Sequence, residues 1–81
     1  MPFFVYILKC KDDTLYVGST NDLERRLHQH NNLKSGAHYT KIRRPVELVY
    51  SKKIRSLSAA RKKEHALKKL SRQEKLELIS K

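Results

Sequence analysis

Tyr16-Val17-Gly18-Ser19-Thr20-Asn21-Asp22-Leu23-Glu24-Arg25-Arg26-Leu27-His28-Gln29-His30 reads as a short strand, a tight turn and an amphipathic helix. Asn21 is placed to cap that helix, with Glu24 three residues on, where a capping-box carboxylate belongs. At about 100° per residue, Leu23 and Leu27 share a face, Arg26 and His30 fall beside them, and Arg25, His28 and Gln29 point away. An inward Arg26 needs an anion, because a buried guanidinium left unpaired is costly. Two partners suit it: a carboxylate in a structural ion pair, or a phosphate, whose oxygens match the planar fork of arginine.

Upstream, Phe3-Phe4-Val5-Tyr6-Ile7-Leu8 is an aromatic and β-branched run too short for a helix of its own, so it reads as a central strand covered on both faces. Lys11 to Thr14 makes a turn, and Leu15-Tyr16-Val17-Gly18 returns antiparallel. If Cys10 pairs with Thr14, Leu8 faces Tyr16, Tyr6 faces Gly18, and both tyrosines lie on one side of the sheet.

Downstream, residues 31–44 show no sustained periodicity and read as a long loop ending at Pro45. Its Lys34, His38, Tyr39, Lys41, Arg43 and Arg44 suit a phosphate backbone with an aromatic for stacking, or form a solvated basic loop. Val46 to Tyr50 alternates imperfectly and gives a third strand. Ser56 caps a second helix in which Leu57, Ala60, Glu64 and Leu67 recur as a buried stripe. A carboxylate at the Glu64 position needs a cation: a salt bridge, with Arg26 one choice, or a divalent metal shared with phosphate oxygens. Ser71 and Glu74 form a capping box that starts a third, short helix to about Ile79, with Leu76 and Ile79 packing back.

The 81 residues suit one domain over 1–81. Lysine and arginine number 19 against 8 acidic residues, a net charge of +11, which points to a polyanionic partner. Residues 51–81 carry +8 of that excess. Lys62, Lys63, Lys68 and Lys69 on the second helix, with Arg25 on the first, are candidate backbone contacts or a solvated face. No apolar run approaches a membrane span and no leader pattern begins the chain. Cys10 is the only cysteine, so neither an internal disulfide nor a zinc site is expected, and a cytoplasmic setting follows.

With these residues in place the chain resembles the GIY-YIG endonuclease superfamily, in particular its small free-standing branch, and is similar to the nuclease domain of structure-specific endonucleases. Phe4-Val5-Tyr6 stands where the family has Gly-Ile-Tyr, Tyr16-Val17-Gly18 matches Tyr-Ile-Gly, and Arg26, His30 and Glu64 follow in order. Phe4 replaces the motif's first glycine, and Lys68 to Lys81 hold no clear counterpart of a later polar residue, often Asn. The resemblance implies a three-stranded antiparallel sheet flanked by helices, an α/β (α+β) fold. It implies metal-dependent phosphodiester hydrolysis, with Tyr6 and Tyr16 positioning or deprotonating water and Arg26 on the phosphate. His30 would assist, and Glu64 would hold Mg²⁺ or Mn²⁺. A tyrosine near both cations would have a lowered pKa. The expected substrate is DNA, with RNA as the alternative, and no protein partner is indicated. Two rival readings keep the fold without turnover: a DNA- or RNA-binding protein, and a small adaptor whose inward polar cluster is structural.

Overall fold

The computed structural model describes residues 2–32 and 43–80. Three antiparallel strands, β1 (Phe3–Lys9), β2 (Leu15–Thr20) and β3 (Glu47–Ile54), form a sheet in the order β2-β1-β3. The apolar β1 run is central, with Val5, Tyr6, Ile7 and Leu8 all buried. The β1–β2 hairpin closes by a bond from Cys10 N–H to Thr14 O at 2.9 Å. Asp13 takes the left-handed conformation that a three-residue hairpin loop requires, at φ 66°. Tyr6 therefore pairs with Gly18, and Leu8 with Tyr16, in the expected register.

Alternation along the sheet sends Val5, Ile7 and Val17 to one face and Tyr6, Leu8 and Tyr16 to the other. The first face is covered by α2 (Leu57–Lys69) and α3 (Arg72–Ile79) through Ala60, Leu67, Leu70, Leu78 and Ile79. The second is covered by α1 (Leu23–Asn32) through Leu23 and Leu27. The imperfect alternation of the third strand has a physical cause. A register shift lets Ile7 pair with Tyr50 and Leu8 with Leu48, so Val49 is extra and Leu48 and Tyr50 serve opposite faces. Strand β3 also runs on to Ile54, beyond the expected Tyr50, because Ser51, Lys52 and Lys53 pair through their backbones with β1 while their side chains stay exposed.

The helix boundaries follow from capping, with one correction. Asp22, not Asn21, caps α1: its carboxylate accepts from Arg25 N–H at 3.1 Å and its carbonyl from Arg26 N–H at 3.0 Å. The Thr20 hydroxyl accepts from Asp22 N–H and fixes that choice between two competent neighbours, leaving Glu24 one place short of a capping box. Ser56 caps α2, and Ser71 with Glu74 forms both arms of the expected box on α3. Leu57 and Leu76 are exposed rather than packed, Leu57 because it opens α2 at the rim of the apolar stripe.

Candidate active site

The site is built on the close passage of two strands. The Tyr6 ring lies over Gly18 so tightly that a β-carbon there would stand 2.5 Å from its hydroxyl and 2.6 Å from Cζ. Gly18 is needed for this approach and not for backbone freedom, since its φ is not positive. The phenol is thereby carried over β2, an edge strand.

His30, on the last turns of α1, is fully buried and sits between the two tyrosines. Its ring meets Tyr6 and Tyr16 edge-on at centroid distances of 5.9 and 5.1 Å. Its Nε2 lies 2.9 Å from the Tyr6 hydroxyl. Arg26, one turn earlier, lies close enough to the same phenol to oppose its shift and donates to Gln29 Oε1 at 2.9 Å. With the Tyr6 phenol as donor and Nε2 of His30 as acceptor, the proton on that ring is assigned to Nδ1.

Burial and charge keep this chain neutral. Burial pushes the Tyr6 phenol up to about 12; Arg26 opposes the shift, while Tyr16 and Glu64 reinforce it. Burial, then the charges of Arg26 and Arg44, pull His30 down to about 4. At Tyr6 desolvation outweighs the opposing guanidinium.

Glu64 comes from α2, on the opposite face of the sheet, and reaches the same edge. Ser19, which alternation turns to that face, donates its hydroxyl to Glu64 Oε1 at 2.5 Å, and Lys68 Nζ stands 2.9 Å from Oε2. Burial works against the carboxylate charge, but Ser19, Lys68 and Arg61 outweigh it and hold the carboxyl below the usual range. The salt bridge open to Glu64 is thus made with Lys68, and Arg26 is left to the tyrosine. Ser19, Arg61, Glu64, His65 and Lys68 line an open cleft of about 270 Å³.

Tyr6, Tyr16, Arg26 and His30 are accordingly brought together on one face of the β2 edge, and Glu64 reaches that edge from the other face through Ser19. The expected nucleic-acid contacts fare differently. Arg43 pairs with Asp12 at 3.0 Å, and Arg44 donates to the carbonyls of His30 and Gln29, closing the C-terminus of α1. Asn31 ties the same helix end to Val46, accepting from its N–H at 2.7 Å and donating to its carbonyl at 3.1 Å. Arg25, Lys62 and Lys69 are exposed, Lys63 is half-buried and Lys68 is held by Glu64. Lys34, His38, Tyr39 and Lys41 lie outside the described residues. Sequence reasoning missed Ser19, Arg61 and His65. The i, i+3, i+4, i+7 spacing of Arg61, Glu64, His65 and Lys68 was the available signal for the α2 stripe, whereas nothing local marks Ser19.

Mg²⁺ and Mn²⁺ favour oxygen donors, and one carboxylate completed by phosphate oxygens and water suffices. Glu64 supplies that carboxylate, with the Ser19 hydroxyl beside it, so the residues present fit such an ion. Among the described residues no three His, Cys, Asp or Glu side chains gather into an all-protein cage. Nor is any described helix long and apolar enough to cross a membrane.

The model of the GIY-YIG catalytic domain matches residues 2–77, and a three-stranded sheet of this order flanked by helices is the fold expected of it. A UPF0213 protein of Syntrophus aciditrophicus is 55% identical over 76 residues, covering 94% of this chain and 87% of that protein. One from Staphylococcus saprophyticus is 53% identical over 77 residues, covering 95% and 93%. The solution structure of the UPF0213 protein of Bacillus halodurans superimposes with a TM-score of 0.63 at 41% identity, covering 99% of this chain and 84% of that one. A solution structure from E. faecalis gives 0.68 at 39% identity, with the same coverage. The chain belongs to the UPF0213 family of small GIY-YIG proteins.

Proposed function

We propose that this protein is a metal-dependent endonuclease hydrolysing phosphodiester bonds, with DNA the preferred substrate over RNA. The observation that carries the reading is the convergence of Tyr6, Arg26 and His30 from one face of the sheet with Glu64 from the other.

Arg26 lies half-buried beside the phenol and is suited to bind the scissile phosphate and stabilise the charge that grows on its oxygens. Glu64, oriented by Ser19, would hold Mg²⁺ or Mn²⁺; such an ion supplies positive charge to the phosphate oxygens. A phenol at about 12 is a poor base alone, but its proton is already directed at a neutral imidazole. As the Tyr6 oxygen takes a proton from the attacking water, its own proton passes to His30 Nε2, so the imidazole is the final acceptor. Tyr16, edge-on to His30, keeps that ring in place. Arg61 and His65, in the cleft beside Glu64, are the added candidates for phosphate contacts, whereas Arg43 and Arg44 serve to position α1.

The test is incubation with labelled branched and linear DNAs and RNAs in Mg²⁺, Mn²⁺ or EDTA. Divalent-dependent cleavage that Glu64→Ala abolishes, with folding and most affinity retained, supports the reading. Undiminished cleavage by that variant would remove the metal role. Binding without cleavage in every condition would leave a nucleic-acid-binding protein on a nuclease fold. The Lys68–Glu64 pair, which neutralises the carboxylate internally, is the observation that favours that second reading.

A further inference from the structure

Both oxygens of the Glu64 carboxylate are engaged by the chain itself: Oε1 by the Ser19 hydroxyl at 2.5 Å, and Oε2 by Lys68 Nζ at 2.9 Å. The two partners are not equivalent. Ser19 is neutral and fixed on β2, so its bond orients the carboxylate without competing for its charge. Lys68 is a full positive charge on a flexible four-carbon stem, with its side chain 53% exposed against 22% for Glu64. It is free to swing into solvent, and a part-exposed i, i+4 pair of this kind holds its lysine only weakly.

We infer that Lys68 is an internal stand-in for the divalent cation, a positioning residue that holds Glu64 in the free protein and must leave before a metal is bound. The inference rests on the reading of Glu64 as a metal ligand. A divalent cation and an ammonium held by the same carboxylate would face each other at close range with no anion between them. A phosphate entering between Arg26 and Glu64 would give the displaced ammonium a new partner. Metal uptake in the free protein is therefore weak, and nucleic acid strengthens it.

Mn²⁺ binding to the protein alone, read by water-proton relaxation enhancement, tests this without any activity. Lys68→Met should tighten Mn²⁺ about three- to tenfold, the order expected from removing one partly screened positive charge. Lys68→Arg, which keeps the charge, should leave the affinity near wild type, and Glu64→Gln should lose the site in either background. Unchanged or weaker binding by Lys68→Met, with loss in Glu64→Gln, overturns the role of Lys68 and leaves the metal reading standing. Undiminished binding by Glu64→Gln overturns both. Adding a short duplex in Ca²⁺-free buffer should tighten Mn²⁺ in wild type more than in Lys68→Met, and an equal gain in both also counts against the exchange.

Discussion

Tyr6 rests against Gly18 so closely that its hydroxyl occupies the space, 2.5 Å away, in which the first carbon of any other side chain would have to stand. One backbone position thus sets where the phenol points, and the contact makes a thermodynamic statement as well as a geometric one.

Gly18→Ala should destabilise the fold by about 1–3 kcal/mol, as overpacking at a rigid backbone contact does, and should abolish cleavage by turning the phenol aside. In a Tyr6→Ala background the same change should cost close to nothing. A chemical-denaturation cycle over the four proteins gives the coupling, and additive effects would show that the two residues do not constrain each other.

His30 ties stability to pH. Its folded value of about 4 lies below the unfolded value of 6.5, so between them the unfolded chain binds a proton that the folded chain does not. Stability therefore falls as pH drops through that window, by up to about 1.4 kcal/mol per unit from this one group. Denaturation from pH 7 to pH 4 should show a flatter dependence for His30→Gln than for wild type; identical slopes would mean that the imidazole charges freely in place.

The two neighbouring arginines of α1 should separate cleanly. Arg26→Ala should remove cleavage while changing affinity little, and the exposed Arg25→Ala should weaken binding modestly with single-turnover cleavage retained at saturating protein. Equal losses of cleavage in the two variants would contradict the inward placement of Arg26.

Arg44 should behave as a helix cap. Its bonds to the His30 and Gln29 carbonyls lead us to expect Arg44→Ala to lower stability by about 1–3 kcal/mol and to leave the salt dependence of DNA binding unchanged. By contrast, neutralising Lys62, Lys63 and Lys69 together should flatten the slope of log K against log salt by up to about 0.9 per lost duplex phosphate contact. A flatter slope for Arg44→Ala alone would return that residue to the binding surface.

What the sequence made legible is what short-range rules govern. The hairpin was legible but its register was open, and the structure settles on the three-residue loop that gives Tyr6 and Tyr16 a shared face; the inward turn of Arg26 and His30 followed from helical phase. Ser56 and Ser71 were recognisable caps because their partners lie within one turn. The rest depends on contacts that no local pattern encodes. Ser19 meets Glu64 across 45 positions, and polar Ser51 to Lys53 join the sheet by backbone pairing alone. Arg43 and Arg44 read as free charges in a basic segment, yet their geometry ties them to Asp12 and to the end of α1. The upward shift of Tyr6 was not legible for a similar reason, since charge is written in the sequence and depth of burial is not.

The cluster takes Tyr6 and Arg26 from the α1 side of the sheet and Glu64 from the α2 side, and those sides rest on two separate apolar clusters. Competence is thus a conjunction: a nascent chain that has closed its hairpin and docked α1 owns the phenol, the imidazole and the guanidinium, yet lacks the carboxylate until α2 arrives. A brief detachment of α2, far short of unfolding the sheet, would disarm the molecule and then restore it on closing. Thermal inactivation should therefore precede loss of the strand signal, with the gap between them measuring how loosely one layer is held.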